Sequence, residues 1–145
     1  MWIVFEGLDK SGKGTLEREF LKKVNYEHIV VDRGPVGYMV FDEIFGRTKR
    51  GRKENFIKQA RRIMKSNDFI IVYCKAPVDV VNERLVHHNE ECPYDYKKAQ
   101  KLYDVCIDRY YFKRFVIEVD TTKSIDECVD MIIKKLEEVQ DNEHC

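Results

Sequence analysis

The stretch Gly7-Leu8-Asp9-Lys10-Ser11-Gly12-Lys13-Gly14-Thr15 follows an apolar run, Trp2 to Phe5, and opens an amphipathic segment. That order reads as strand, phosphate-binding loop, helix. Glycines at 7 and 12 let the chain curl so that successive amide N–H groups point inward at phosphate oxygens. Lys13 can then reach the outer phosphates of a nucleoside triphosphate, and the helix beginning near Lys13 adds unpaired N–H groups and a favourable dipole. Gly7, Ser11, Gly12, Lys13, Gly14 and Thr15 are the candidate triphosphate-binding residues. One position departs from the usual pattern: Gly14 stands where a Ser or Thr hydroxyl normally meets Mg²⁺, and Thr15 follows one residue later.

A second pair of chemical side chains, Asp32-Arg33, stands at the carboxyl end of the next apolar run, the edge at which open parallel sheets bind ligands. A carboxylate there can hold hydrated Mg²⁺ or take a proton from an attacking hydroxyl. A guanidinium can grip an acceptor phosphate through two parallel hydrogen bonds. Asp32, through water, and Thr15 are the candidate metal contacts. Residues 47 to 65 hold nine Lys or Arg against one Glu. Of these, Arg47 and Arg50 to Arg52 are expected in a loop and are candidates to clamp an acceptor phosphate, whereas Lys58, Arg61, Arg62 and Lys65 read as a solvated helix face. Tyr38 and Phe41 are candidates to stack on an acceptor base, although their helical spacing also suits a core.

The elements that must position these groups can be traced along the chain. A first helix carries Leu16, Phe20, Leu21 and Val24 and stops at Asn25. His28 to Asp32 forms a second strand whose continuous Ile29-Val30-Val31 run is expected to be buried on both faces. Val36, Met39, Val40, Ile44 and Phe45 mark one side of a helix over 36 to 45. Phe56, Ile57, Ala60, Ile63 and Met64 mark another, at about 53 to 66.

A third strand, Asp68 to Tyr73, precedes Pro77, which suits the first turn of a helix running to about His87. A helix over about 94 to 110 follows, striped by Ala99, Leu102, Tyr103, Cys106 and Tyr110. Phe115 to Val119 is the fourth strand. The last helix, about Ile125 to Val139, opens with Ser124 and Glu127 as a capping box and carries Ile125, Cys128, Ile132, Leu136 and Val139 on its stripe. Strands alternating with helices imply a mostly parallel sheet of about four strands covered on both faces, an α/β fold.

Composition narrows the setting. The 145 residues fit one domain, 1–145, with 43% hydrophobic residues to build a core. The 26 basic and 26 acidic residues cancel, so no global field argues for nucleic acid or an anionic membrane. No run approaches the ~18 apolar residues of a membrane span, and no leader is apparent, so a cytoplasmic protein is expected. Five cysteines, at 74, 92, 106, 128 and 145, are odd in number and lack a C-x-x-C pair, which fits free thiols.

The residues Phe5-Glu6-Gly7-Leu8-Asp9-Lys10-Ser11-Gly12-Lys13 resemble the opening of thymidylate kinases. Asp32-Arg33 resembles that family's Asp-Arg motif, and Pro77 with Glu83-Arg84 resembles the segment leading into its lid. Asp120 to Glu127 is similar to its strand, loop and helix beside adenine. The resemblance implies the three-layer sandwich of P-loop NTPases and transfer of the ATP γ-phosphate, with Mg²⁺, to a nucleoside monophosphate. It implies further that Arg84, Thr121 and Lys123 border the ATP and that Asp9 and Arg33 face the acceptor. Homodimers are common among such kinases.

Three departures accompany it. Family members are usually longer, and where they carry a further strand and acceptor-contacting helices this chain has only Asn25 to Glu27; shorter viral-type relatives are the closer comparison. The lid segment, Arg84 to Glu91, has no arginine after Arg84, which leaves Lys10 as the candidate transition-state cation. The Gly-Lys-Gly-Thr ending is the form of adenylate kinases, where protein-bound waters complete the Mg²⁺ shell. Rival readings are a deoxynucleoside kinase with Asp32 as general base, a polynucleotide kinase holding a nucleic acid 5′ end on the 47 to 65 stretch, and a noncatalytic nucleotide-binding module.

Overall fold

Two strands carry apolar residues on both faces because helices cover both. The computed structural model describes residues 1–143; Cys145 lies outside them. Strands β1 (Trp2–Glu6), β2 (Ile29–Asp32), β3 (Phe69–Lys75) and β4 (Val116–Asp120) form one parallel sheet in the order β2-β1-β3-β4. Ile3, Phe5, Ile70, Val72 and Cys74 face a layer made by α1 (Lys13–Lys23) and α6 (Ile125–Glu143). The alternating residues Val4, Ile71 and Tyr73 face the other layer: α2 (Pro35–Ile44), α3 (Arg50–Lys65), α4 (Val78–His87) and α5 (Tyr96–Tyr110). The result is the three-layer α/β sandwich expected from the sequence.

The central strands fit the doubly buried pattern; β2 does not. Ile29 is 52% exposed, and the strand is only half covered because β2 pairs with β1 alone and lies at the sheet edge. No further strand lies between α1 and β2: α1 turns directly into β2 through Asn25 and Tyr26, at φ 53° and 60°. Register places Asp32 beside Phe5, and the Arg33 N–H donates to the Phe5 carbonyl at 2.9 Å. Asp32-Arg33 is thereby fixed next to the exit of β1, from which the phosphate loop springs.

Helix boundaries refine the expectations. α3 begins at Arg50, so Arg50 and Arg52 lie on a helix and not in the loop. β3 runs on to Lys75, which pairs with Asp120 of β4. Phe45 and Ile125, assigned to buried stripes, are 43% and 44% exposed because each lies at or beyond a helix end, while Phe41 takes a place in the core. Ser124 caps α6 by accepting the Glu127 N–H at 3.2 Å. Leu16 and Phe20 pin α1 to the sheet; truncating Phe20 to Ala would cost about 3–5 kcal/mol. No helix among the described residues is long and apolar enough to cross a membrane.

Candidate active site

The phosphate loop is shaped by backbone and cross-tied by two side chains. Gly7 has φ 154°, and a Cβ there would sit 2.8 Å from both the Cys74 carbonyl and Ser11 Oγ. Gly12, at φ 86°, caps α1, and a Cβ on it would come within 3.1 Å of Thr121. The Thr121 hydroxyl lies within hydrogen-bonding reach of the Ser11 carbonyl and, at 3.1 Å, the Lys75 carbonyl. Arg84 donates from Nη1 to the Lys10 carbonyl at 2.7 Å and from Nη2 to the Thr121 carbonyl at 3.0 Å. One guanidinium thus ties the loop to the turn after β4. A cleft of about 580 Å³ opens here, bordered by Gly12 to Thr15, Arg84, Thr121 and Lys123. Of the residues expected around ATP, Gly12 to Thr15, Arg84, Thr121 and Lys123 border this cleft, whereas Gly7 and the buried Ser11 do not.

Lys13 stands at the foot of this cleft in an ion pair with Asp32, with Glu17 Oε1 3.9 Å away one helical turn on. Burial pushes the Glu17 carboxyl up to about 7, helped by its hydrogen bond to Asp32, against the opposing charge of Lys13. Burial also raises Asp32, but hydrogen bonds from Lys13 and Glu17 outweigh it and hold Asp32 below the usual carboxylate range. The outcome is one carboxylate at the rim that stays ionised and one behind it that takes up a proton near neutral pH. A phosphate entering this cleft would compete with Asp32 for the Lys13 ammonium.

Among the described residues no cluster of three or more His, Cys, Asp or Glu is placed to hold a metal. The donor set nevertheless suits hydrated Mg²⁺, which keeps several waters and needs only one or two protein carboxylates. Asp32 is ionised and 67% exposed, and a Cβ on Gly14 would meet nothing within 4 Å, so the space of the absent hydroxyl is open. Thr15 is exposed beside it on the first turn of α1.

Across the sheet edge, Arg33 adopts φ 73° and lays its guanidinium 4.0 Å above the Phe41 ring, with Tyr38 at 5.9 Å and Asp9 Oδ1 at 3.9 Å. Arg33 Nε is buried without a hydrogen-bond partner among the described residues. Tyr94 donates to Asp9 Oδ2 at 3.3 Å, and its ring meets Phe41 and Phe45 edge-on at 6.1 and 5.8 Å. Phe41 is therefore packed in the core, 3% exposed, not open for a base. Tyr38 is 41% exposed and stacks on Phe56.

Several expected roles are displaced. The Lys10 ammonium is held 3.1 Å from Glu90, in the turn after α4, although the residue borders the cleft. Arg50 is 94% exposed and pairs with Glu54; Arg47 lies over the Phe45 ring at the outer rim. Neither borders the groove beside Asp32 and Arg33. Both stand on a surface segment whose nearest acid is Asp42 or Glu54.

Glu6 is a site residue with no signal of its own in the sequence. It is fully buried and accepts the N–H groups of Gly34 and, at 2.8 Å, Gly37, fixing the start of α2 and with it Arg33. Burial pushes its carboxyl up to about 8 against those hydrogen bonds. Tyr103 of α5 accepts the Gly7 N–H at 2.9 Å, so two buried side chains, Glu6 and Tyr103, tie β1 to the start of α2 and the phosphate loop to α5. Glu17, Glu90, Tyr94 and Tyr103 were likewise invisible as site residues, because helical or loop spacing assigns each to a stripe or a turn.

A phosphate loop between the first strand and helix of a parallel sheet, faced by Asp-Arg on the neighbouring strand, defines the P-loop kinase fold. No protein-family model matches the sequence, and no curated protein matches it. Among solved structures, the YorR protein of Bacillus subtilis in complex with phosphorylated GDP is similar, with a TM-score of 0.72 at 17% identity, covering 94% of this chain and 96% of that one. Deoxyadenosine kinase from M. mycoides with bound dCTP is similar at a TM-score of 0.68 and 15% identity, covering 95% of this chain and 100% of that one. The same kinase with its products dCMP and a flexible dCDP gives 0.68 at 14% identity over 96% and 100%. At these identities the likeness is one of fold.

Proposed function

We propose that this chain transfers the γ-phosphate of ATP to a (deoxy)nucleoside monophosphate, in the manner of a thymidylate kinase. The observation that carries the reading is the convergence of Asp9 on the phosphate loop, Lys13 at the first residue of α1, Asp32 at the end of β2 and Arg33 directly after it. In this reading the loop amides and Lys13 hold the β- and γ-phosphates while Arg84, Thr121 and Lys123 border the nucleoside. Arg33, kept short of partners by its backbone and by Phe41, accepts the phosphate of the monophosphate between its N–H groups. Asp9, oriented by Tyr94, hydrogen-bonds the acceptor sugar.

Asp32, through water, and Thr15 would hold a Mg²⁺ arriving with the triphosphate, which would supply positive charge to the transferring phosphate. Lys10 can add a second cation once it leaves Glu90.

A second reading keeps the donor side and changes the acceptor. Asp32, held ionised, is competent to accept the proton of a 5′-hydroxyl, and one of the proteins sharing this fold is a deoxyadenosine kinase. The deciding experiment incubates the protein with Mg-ATP and a panel of nucleosides and nucleoside monophosphates, separates the products, and runs Lys13→Ala beside it. Diphosphate made from a monophosphate is the expected result. Monophosphate made from a nucleoside would replace it with the second reading, and ATP binding without product from either would leave a noncatalytic nucleotide-binding module.

A further inference from the structure

The chain has no net charge, yet α3 carries seven Lys or Arg and one Glu in sixteen residues. Its apolar residues Ala60 and Met64 are buried, so the charges are crowded on what remains. Arg52 is answered by Asp42 and Arg50 by Glu54. Lys58, Arg61, Arg62 and Lys65 are exposed and make no ion pair among the described residues. They recur at i, i+3, i+4 and i+7, which places them on one ridge about 10 Å long. Four uncompensated cations on one helix repel each other, and that repulsion is relieved only by an anionic partner or by salt.

The ridge borders a groove of about 410 Å³ that starts at Asp32-Arg33 and ends at Gln59 and Arg62. Its aromatic lining is open to solvent: Trp2 is 38% exposed and stacked on Phe69 at 5.8 Å, and Tyr38 is 41% exposed. Cations beside exposed ring faces suit a chain of phosphates bearing unstacked bases. A duplex, its bases stacked, would leave the rings unused.

We propose that the outer face of α3 and the groove beside it form a binding surface for single-stranded nucleic acid, independent of the ATP cleft. The test is fluorescence anisotropy with a short labelled oligothymidylate. Four phosphate contacts predict that affinity falls roughly 50-fold between about 50 and 200 mM salt. Replacing Lys58, Arg61, Arg62 and Lys65 together by Gln is expected to weaken binding at least about tenfold at low salt. The thermal melt is expected at or slightly above that of wild type, since none of the four holds an ion-pair partner among the described residues and their mutual repulsion is removed.

Lys134→Gln with Lys135→Gln, on the opposite face of the sheet, and Lys13→Ala in the ATP cleft are expected to bind the oligonucleotide as wild type does. Loss of binding in Lys13→Ala would place the oligonucleotide in the nucleotide cleft and overturn the proposal. Undiminished binding in the fourfold variant, duplex bound more tightly than single strand, or binding to phosphatidylserine vesicles without binding to the oligonucleotide would each overturn it as well. Kinase assays on the fourfold variant keep this proposal separate from the phosphotransfer reading: normal turnover with lost oligonucleotide binding supports both.

Discussion

In the proposed reading the site has a donor end and an acceptor end, and the two are built by different means. At the donor end, nine consecutive residues make the phosphate loop, and Arg84 and Thr121 bind its carbonyls, so geometry resides in backbone braced from two sides. At the acceptor end, Asp9, Arg33, Phe41 and Tyr94 come from four separate segments and meet through side chains beside a strand paired on one edge only. Backbone cradles tolerate most side-chain changes outside their glycines and lysine. Side-chain assemblies depend on every member, and on the buried groups behind them.

The largest expected effect lies at the donor end. Lys13→Ala should lower kcat by at least about 10²–10³-fold while the fold persists, measured by steady-state turnover with a thermal melt as control. Wild-type turnover in that variant would remove the loop from the chemistry.

Next comes the buried hinge between the ends. Glu6 titrates near 4.5 when exposed and near 8 in the folded protein, so the native state holds its proton more tightly across that window. Its contribution to stability is therefore full below about 4.5 and lost as pH rises toward about 8, a change of a few kcal/mol. Glu17, raised to about 7, acts in the same direction. Melting temperature should fall over this range, and Glu6→Gln should remove part of the slope; an unchanged slope in Glu6→Gln would show that Glu6 does not carry it.

At the acceptor end, Arg33→Ala should cost about 2 kcal/mol in kcat/KM, mostly through the acceptor KM, with ATP affinity kept. An equal loss for both substrates would erase the division between the ends. Arg84→Ala tests the brace: loss of two charge-assisted hydrogen bonds, each worth about 1.5–3 kcal/mol, should lower stability and raise the KM for ATP before that of the acceptor. The smallest effect is expected at Tyr38, where Ala should raise the acceptor KM only about threefold, about 0.6 kcal/mol, since the ring already stacks on Phe56.

The same contrast explains what the sequence made legible. Glycine spacing, Lys13 and the strand before them identify the donor end because one contiguous segment contains the whole device, and alternation of strands with helices gives the parallel sheet. Asp32-Arg33 was legible from its place at a strand end. Glu6 was not, since one carboxylate in an apolar strand gives no sign of which backbone amides it will meet. Tyr94 and Glu90 were hidden because they act across some eighty residues of chain on Asp9 and Lys10. The exposure of β2 was misread for a related reason: an apolar run shows that a strand is covered, not how many neighbours it has.

The tight connection from Val24 to Glu27 gives the molecule room to change. It leaves α1, turns through two residues at positive φ and enters the outermost strand, so chain added there would emerge at the free border of the sheet and disturb neither the core nor the phosphate loop. Lengthening a loop costs only about 0.6 kcal/mol for each doubling. A graft of an extra strand at this turn would meet an unpaired ladder ready to receive it, beside Arg33. New acceptors could in this way be acquired by insertion, with the donor machinery inherited unaltered.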